Sequence, residues 1–457
     1  MLLTTLLVIA QAQTAVPQVW EKLIAPGVTY RMEVEPATPM LLHAVRVSPS
    51  ADGVLMTGEL ATGRVFEPSS PTFGRETVSA TAARTGSLIA VNADFFPFTG
   101  DPLGAMVKSG ELVSVPEGGR SAFCWGKGFS QAAYLKFSAN FRVEGQTFGI
   151  YGINQECGDN MVVLNTPVAG FATSREPATH VVLGFEGTVS PVGQWVMTAR
   201  RRIENSTSVQ VDPGEVVLTF RGSPAEKLDF FSAGDEIELR VTCTGADWNR
   251  VTDVIGGGPF LVKDGKAFTP FEAEGFTPGF ANNRHPRTAI GRTALGEIWI
   301  VALDGRQAMS AGATIAEMAA VMVRLGCVDA INLDGGGSTT LTISGLTVNR
   351  PSGGTERAVA NTLLVFSGLV APPASPDLAP ALVVAGQATL KVGETTRYRL
   401  VDVDGADVPD AEVLWSAQGS GWIDQSGALR GSLEGSCQIR AFSRGRTAAL
   451  SVTVEKS

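Results

Sequence analysis

The stretch from Ile298 to Leu333 constrains the fold more than any other. Two apolar runs, Ile298-Trp-Ile-Val-Ala-Leu303 and Cys327-Val-Asp-Ala-Ile-Asn-Leu333, flank one well-marked helix. Thr314 stands where a helix cap belongs, and Glu317 three residues on completes a capping box. Ile315, Met318, Ala319, Met322 and Val323 share one face, and Gly326 falls where a helix stops. That stripe reads as a packing face for a sheet, not a cofactor site. A strand, a helix and a strand joined by short turns predict a right-handed crossover with the strands parallel. Each run ends in Asp-Gly, at Asp304-Gly305 and Asp334-Gly335, so parallel strands would deliver both carboxylates to one sheet edge, where open sheets carry ligand sites. Neighbouring strands lie ~4.8 Å apart, so with nothing between them the two carboxylates would act on one substrate.

Outside this stretch, long helical periodicity is nearly absent. Short apolar runs such as Leu41-Leu-His-Ala-Val-Arg-Val47 and Ser87-Leu-Ile-Ala-Val-Asn92 read as strands, and 52 glycines in 457 residues suit the turns between them. The predicted fold class is α+β: a strand-rich, mixed-sheet domain with few helices over residues 16–370, elaborated at about 116–235. Residues 371–380 hold four prolines, which forbid a regular ladder and make an extended spacer with few contacts across it. A small β-sandwich is expected at 381–457. The start, residues 1–12, has a short apolar run and an A-x-A signature at Ala10 and Ala12, the pattern of a secretory signal, although no Lys or Arg precedes the run. Export, to the periplasm or outside the cell, is the expectation. No other stretch approaches the ~20 apolar residues of a membrane span. A hydrophobic share of 44% against 18% charged excludes a mainly disordered chain, and a net charge of −9 would repel a phosphate backbone, so nucleic acid is excluded as a partner. The five cysteines form no CxxC pair and show no metal-ligand spacing, and no cofactor is expected.

Three consecutive glycines in Asp334-Gly-Gly-Gly-Ser-Thr-Thr340 cost backbone entropy that a plain turn would not require, so something must approach that loop closely. Its amides, with the Ser338 and Thr339 hydroxyls, would suit an anion. The loop lacks the Lys of a Walker A sequence, and it is no G-x-S-x-G elbow; only three histidines exist to serve a Ser-His-Asp site at Ser338.

Arg287-Thr-Ala-Ile-Gly291, the run ending in Asp304-Gly305-Arg306, the helix, and Ala330-Ile-Asn-Leu-Asp-Gly-Gly-Gly-Ser-Thr339 follow in the order of the phosphodiester glycosidases, a family this chain resembles. Val91-Asn-Ala-Asp-Phe-Phe96 with Gly104, Gly257-Gly-Pro-Phe-Leu-Val-Lys-Asp-Gly265, Asn349-Arg-Pro-Ser352 and Glu356-Arg-Ala-Val-Ala-Asn361 extend the resemblance over residues 91–366. It departs at Ala93-Asp94, where the family carries smaller, glycine-rich sequence, and that puts substrate specificity in question.

The resemblance implies an enzyme that splits a sugar from a phosphodiester, with a carbohydrate phosphodiester as substrate. Such a cleavage passes through an oxocarbenium-like state that a carboxylate stabilises. On this reading Asp304, Asp334 and Arg287 are catalytic, and Arg287 and Arg357 clamp phosphate. Asn92, Asp94, Arg306, Asn332, Gly335, Gly336, Gly337, Ser338 and Arg357 bind substrate. Blander roles compete: Asp304 as a turn residue, Arg287 as a structural ion pair, Asn92 and Asn332 as loop braces, His285 as a surface residue and His43 as core. Two other functions also compete, a non-catalytic glycan-binding or envelope-organising protein, and a metal-assisted phosphodiesterase with Asp304 and Asp334 as hard-cation ligands. At Val413-Leu-Trp-Ser416, Gly427-Ala-Leu-Arg-Gly431 and Gly435-Ser-Cys-Gln-Ile-Arg-Ala441 the last segment resembles bacterial immunoglobulin-like domains, which implies a spacer or an envelope or glycan contact.

Overall fold

The computed structural model describes residues 17–35, 39–67, 72–97, 99–227, 232–368 and 381–457. The signal-like start and the proline spacer lie outside these. The chain is strand-rich with few helices.

The part that positions the site consists of β1 (Met40–Val47), β2 (Val54–Leu60), α1 (Val78–Thr85), β3 (Ile89–Asn92), α2 (Pro278–Asn282), β4 (Arg287–Thr293), β5 (Ile298–Leu303), α3 (Ile315–Arg324), β6 (Cys327–Asn332), β7 (Leu341–Ile343) and β8 (Asn361–Ser367). One eight-stranded sheet contains the run β1-β5-β4-β6, and a five-stranded sheet contains β7-β3-β8-β2. The two sheets face each other across a shared apolar core, to which the first gives Val45, Ile290, Ile300 and Ile331 and the second Ile89, Val91, Leu341 and Leu363. Alternation along each strand leaves a second apolar face. On the first sheet Ala44, Ala289, Trp299 and Val301 pack under Ile315, Met318, Ala319 and Met322 of α3. On the second, Ala90 and Leu364 pack under Val78 and Ala82 of α1. The layers therefore run helix, sheet, sheet, helix.

The helix α3 has the capping box expected of it: the Thr314 hydroxyl accepts from Glu317 N at 3.1 Å, and the Glu317 carboxylate accepts from Thr314 N at 2.9 Å. The strands it joins differ from expectation. β5 and β6 do run parallel, but β4 lies between them, antiparallel to both. The reason is local: β4 and β5 form a hairpin across the short turn at Leu295-Gly296, so β6 can pair only on the far edge of β4.

Residues 136–244 build another eight-stranded sheet with its own apolar core. Residues 381–457 form three small sheets closed around Tyr398, Trp415, Leu429 and Ile439. This last module is not set apart from the rest. Its Leu414 belongs to the core between the two main sheets, and Trp422 and Phe442 pack against it, contrary to the few contacts expected across the proline spacer.

Candidate active site

Residues from four segments meet at the ends of β3, β5 and β6 and the start of β4. Asp334 lies two residues past the end of β6 and anchors to the β3 end: its backbone N donates to Ala93 O at 2.9 Å, and its carbonyl accepts from Asn92 Nδ2 at 2.6 Å. The Asn92 amide oxygen takes donors from Thr288 Oγ1 at 2.9 Å and Thr340 N at 3.1 Å. Asn92 is thus enclosed, a brace joining three segments. Asn332 is enclosed as well, donating to Gly258 O and Leu333 O.

The Asp334 carboxylate remains partly open, accepting from Gly335 N at 2.8 Å and from the Ser338 side chain. Burial pushes its pKa up to about 6, against the downward pull of Ser338, Gly335 N and the Arg357 charge. One residue beyond the bonded Ala93 carbonyl lies Asp94, only 1% exposed. Its two oxygens accept from Phe95 N and Gly104 N, both at 2.7 Å, and its backbone N donates to Asn361 Oδ1 at 2.9 Å. Burial carries Asp94 up to about 7, with the charge of Asp334 adding to the rise. The carboxylate sits where a side chain on Gly104 or Gly256 would be: a Cβ there would lie 2.6 or 2.4 Å from Oδ2. Asp94, expected to bind substrate, is thus sunk beneath the site.

The glycine loop serves a purpose different from the one expected. Gly335 N, Gly336 N and Ser338 N are spent on Asp334 Oδ1, Pro286 O and Gly335 O, so they do not cradle an anion. The missing side chains instead admit guanidinium groups. A Cβ on Gly337 would lie 2.4 Å from Arg357 Nη2, and one on Gly336 would lie 3.1 Å from Arg306 Nη2. Arg306 and Arg357 are both exposed; Arg357 Nη1 donates to Ser338 Oγ at 3.4 Å, and Arg306 Nη2 to His285 Nδ1 at 3.2 Å. A guanidinium can only donate, so Nδ1 is the acceptor and the imidazole proton sits on Nε2. Burial, Arg287 and Arg306 all lower the His285 pKa, which keeps the ring neutral at pH 7. Arg306 is also held at φ 60°, a strained backbone for a side chain this long.

Arg287 and Asp304 occupy other positions than a shared cleft with Asp334 requires. Arg287 pairs with Leu303 across the hairpin and so faces α3. Its Nε donates to Ala313 O and its Nη2 to Phe280 O and Asn283 O, with the Phe280 ring 4.8 Å from the guanidinium carbon. Burial first and Arg306 second push it down to about 10, still a cation at neutral pH. Asp304 has no exposed surface; Oδ1 accepts from Arg350 N at 2.9 Å and Asn349 Nδ2 at 3.2 Å, while Oδ2 lies 3.7 Å from His43 Nε2. With β4 between them, Asp304 and Asp334 are not side by side, and Asp304 is a buried anchor. Among the described residues no three His, Cys, Asp or Glu side chains converge as a metal-ligand set.

Sequence reasoning gave no part to Arg120, whose guanidinium carbon lies 5.3 Å from the Phe95 ring centre and 4.8 Å from that of Phe276. Nothing in Gly-Gly-Arg120-Ser-Ala marks it. Asn349, Arg350 and Asn361 were visible as motif residues, but their partners lie too far along the chain for spacing to show their roles.

Residues 185–366 match the family described as phosphodiester glycosidase. Over 108 residues the chain is 41% identical to the SPbeta prophage-derived uncharacterized protein YomE of Bacillus subtilis (strain 168), covering 24% of this chain and 16% of that one. Over 113 residues it is 34% identical to N-acetylglucosamine-1-phosphodiester alpha-N-acetylglucosaminidase of Homo sapiens, covering 23% of this chain and 22% of that one. The chain therefore spans less than a quarter of either relative. A crystal structure of a hypothetical protein from Synechocystis shares the fold, with TM-score 0.66 at 22% identity, covering 77% of this chain and 64% of that one.

Proposed function

From the phosphodiester glycosidase domain that residues 185–366 carry, we propose that the protein is an exported hydrolase that cleaves a sugar from the phosphate of a sugar-1-phosphodiester in envelope or extracellular glycans. The observation that carries this reading is the pair of exposed guanidiniums, Arg306 and Arg357, laid against the glycine loop beside the half-open Asp334 carboxylate. Two cations flanking one carboxylate match a substrate whose leaving group is anionic and whose sugar becomes positive in the transition state.

In this mechanism Arg306 and Arg357 bind the phosphodiester and hold its charge as the glycosidic bond breaks. Phosphate leaves as a weak base, so protonation of the leaving oxygen contributes little. Asp334, ionised above pH 6, stabilises the oxocarbenium carbon from the loop edge until a water adds there and gives up a proton to solvent, leaving free sugar and phosphomonoester. Arg287 adds positive field from behind Arg306. Asp94, Asn92 and Asn332 position the backbone that presents Asp334. Export rests on the signal-like start; among the described residues no helix is long and apolar enough to cross a membrane.

The test is Asp334→Asn, which keeps shape but removes charge. Against a panel of chromogenic sugar phosphodiesters, turnover falls by at least ~100-fold, the scale of losing a positioned catalytic group, with the melting temperature little changed. Near-normal turnover would make Asp334 a structural turn residue. A wild-type protein that binds the panel without turning it over would favour the non-catalytic glycan-binding role.

A further inference from the structure

We propose that the C-terminal module, residues 381–457, is a working part of the site: it clamps Asn349-Arg350, and through them fixes the glycine loop and Asp304. This rests on the proposed function, in which Asp334 and the arginines laid against that loop act on substrate.

The clamp is made of two side chains, Ser416 and Gln418, and two backbone carbonyls, those of Gly419 and Gly421, on the strands Leu414–Gly419 and Gly421–Ile423. Arg350, 9% exposed, donates from Nη1 to Gly421 O at 2.8 Å and from Nη2 to Gly419 O. Gln418 Nε2 donates to Asn349 O at 2.8 Å, and Ser416 Oγ donates to Thr347 O at 2.6 Å. Residues 347–350 are therefore bonded along their length to the module.

The same residues bond inward to the site. Asn349 Oδ1 accepts from Leu341 N at 2.7 Å and Nδ2 donates to Thr339 O at 3.0 Å, which fixes the chain just after Gly335–Ser338. Arg350 N and Asn349 Nδ2 supply the hydrogen bonds that Asp304 Oδ1 accepts, while among the described residues Oδ2 and the facing His43 Nε2, 3.7 Å apart, have no hydrogen-bond partner. A buried carboxylate that depends on two donors tolerates little displacement of them. The Arg350 carbonyl also accepts from Gln307 Nε2 at 2.9 Å, beside the strained Arg306. Arg350 touches no group that meets substrate, so it is a positioning residue.

The experiment uses the full chain with Arg350→Ala, Arg350→Lys and the module-side double variant Ser416→Ala/Gln418→Ala. Amide hydrogen exchange at 335–341 and at 414–423 is followed by mass spectrometry, alongside kcat and KM on the sugar-phosphodiester panel. In Arg350→Ala, exchange at 335–341 rises at least about tenfold and kcat falls by a similar factor with KM less affected; Arg350→Lys restores part of both. The double variant moves the same quantities in the same direction, and it stands in if Arg350→Ala does not fold. Faster exchange at 414–423 with 335–341 and kcat unchanged would overturn the proposal. A wild type inactive on the whole panel would overturn the functional reading alone, leaving the exchange result to decide the coupling.

Discussion

Gly337 and Gly104 are both close-packed glycines, yet the two should respond to alanine in opposite ways. At Gly337 the obstacle is the end of a flexible side chain, Arg357, which can swing aside. Gly337→Ala should leave the melting temperature unchanged and raise KM roughly tenfold, the scale of one lost charge-assisted contact. At Gly104 the obstacles are the fixed Asp94 carboxylate and the Gly256 Cα at 2.9 Å. Gly104→Ala should cost ~1–3 kcal/mol in chemical denaturation, as overpacking does, because neither neighbour can yield. The acidic limb of kcat/KM gives a second check at this scale. On the proposed reading, activity should be lost as pH falls through about 6, where Asp334 takes up a proton. Arg357→Gln removes a charge that holds this value down, so the limb moves to higher pH. A limb that stays in place would mean that another group sets it. Asp94, coupled to Asp334 by charge, makes the titration a property of the pair.

At the scale of elements, α3 was the most legible part of the sequence, because every signal for it is local: cap, stripe and terminating glycine all lie within one short stretch. The edge shared by the ends of β5 and β6 was legible too, since a crossover fixes strand direction. The interposed β4 was not. Its pairing with both neighbours depends on a hairpin whose turn, Leu295-Gly296, resembles many others, and hydrophobic runs do not say which edge a partner takes. That one strand separates Asp304 from Asp334 and turns Arg287 toward α3. The Gly-Gly-Gly run announced a close approach without naming what approaches, because Arg306 and Arg357 come from different loops. The cap offers a clean test of the element. Thr314→Ala removes the acceptor for Glu317 N and should cost about 1 kcal/mol by chemical denaturation, with turnover within about twofold of wild type. A loss of activity far beyond the loss of stability would mean that α3 transmits strain to the Arg284-His285 segment, which Glu317 also holds.

For the whole molecule, the module at 381–457 shares its Leu414 with the core between the main sheets and its strand ends with Asn349-Arg350. Calorimetry of the full chain should therefore show the main sheets and the module unfolding in one transition; two separate transitions would mean that the interface contributes little. The order of strands has a different consequence. Among the described residues β2 pairs in its sheet with β8 alone, and the Asp94 amide donates to Asn361 Oδ1, so the early strands wait for residues far downstream. Contacts this distant in sequence make folding slow. Synthesis runs from the amino end, so a ribosome that has already made Asp94, Arg306 and Asp334 still holds a chain in which the Asp94 brace has no acceptor. On the proposed reading, the site cannot be complete until Asn361 has been made.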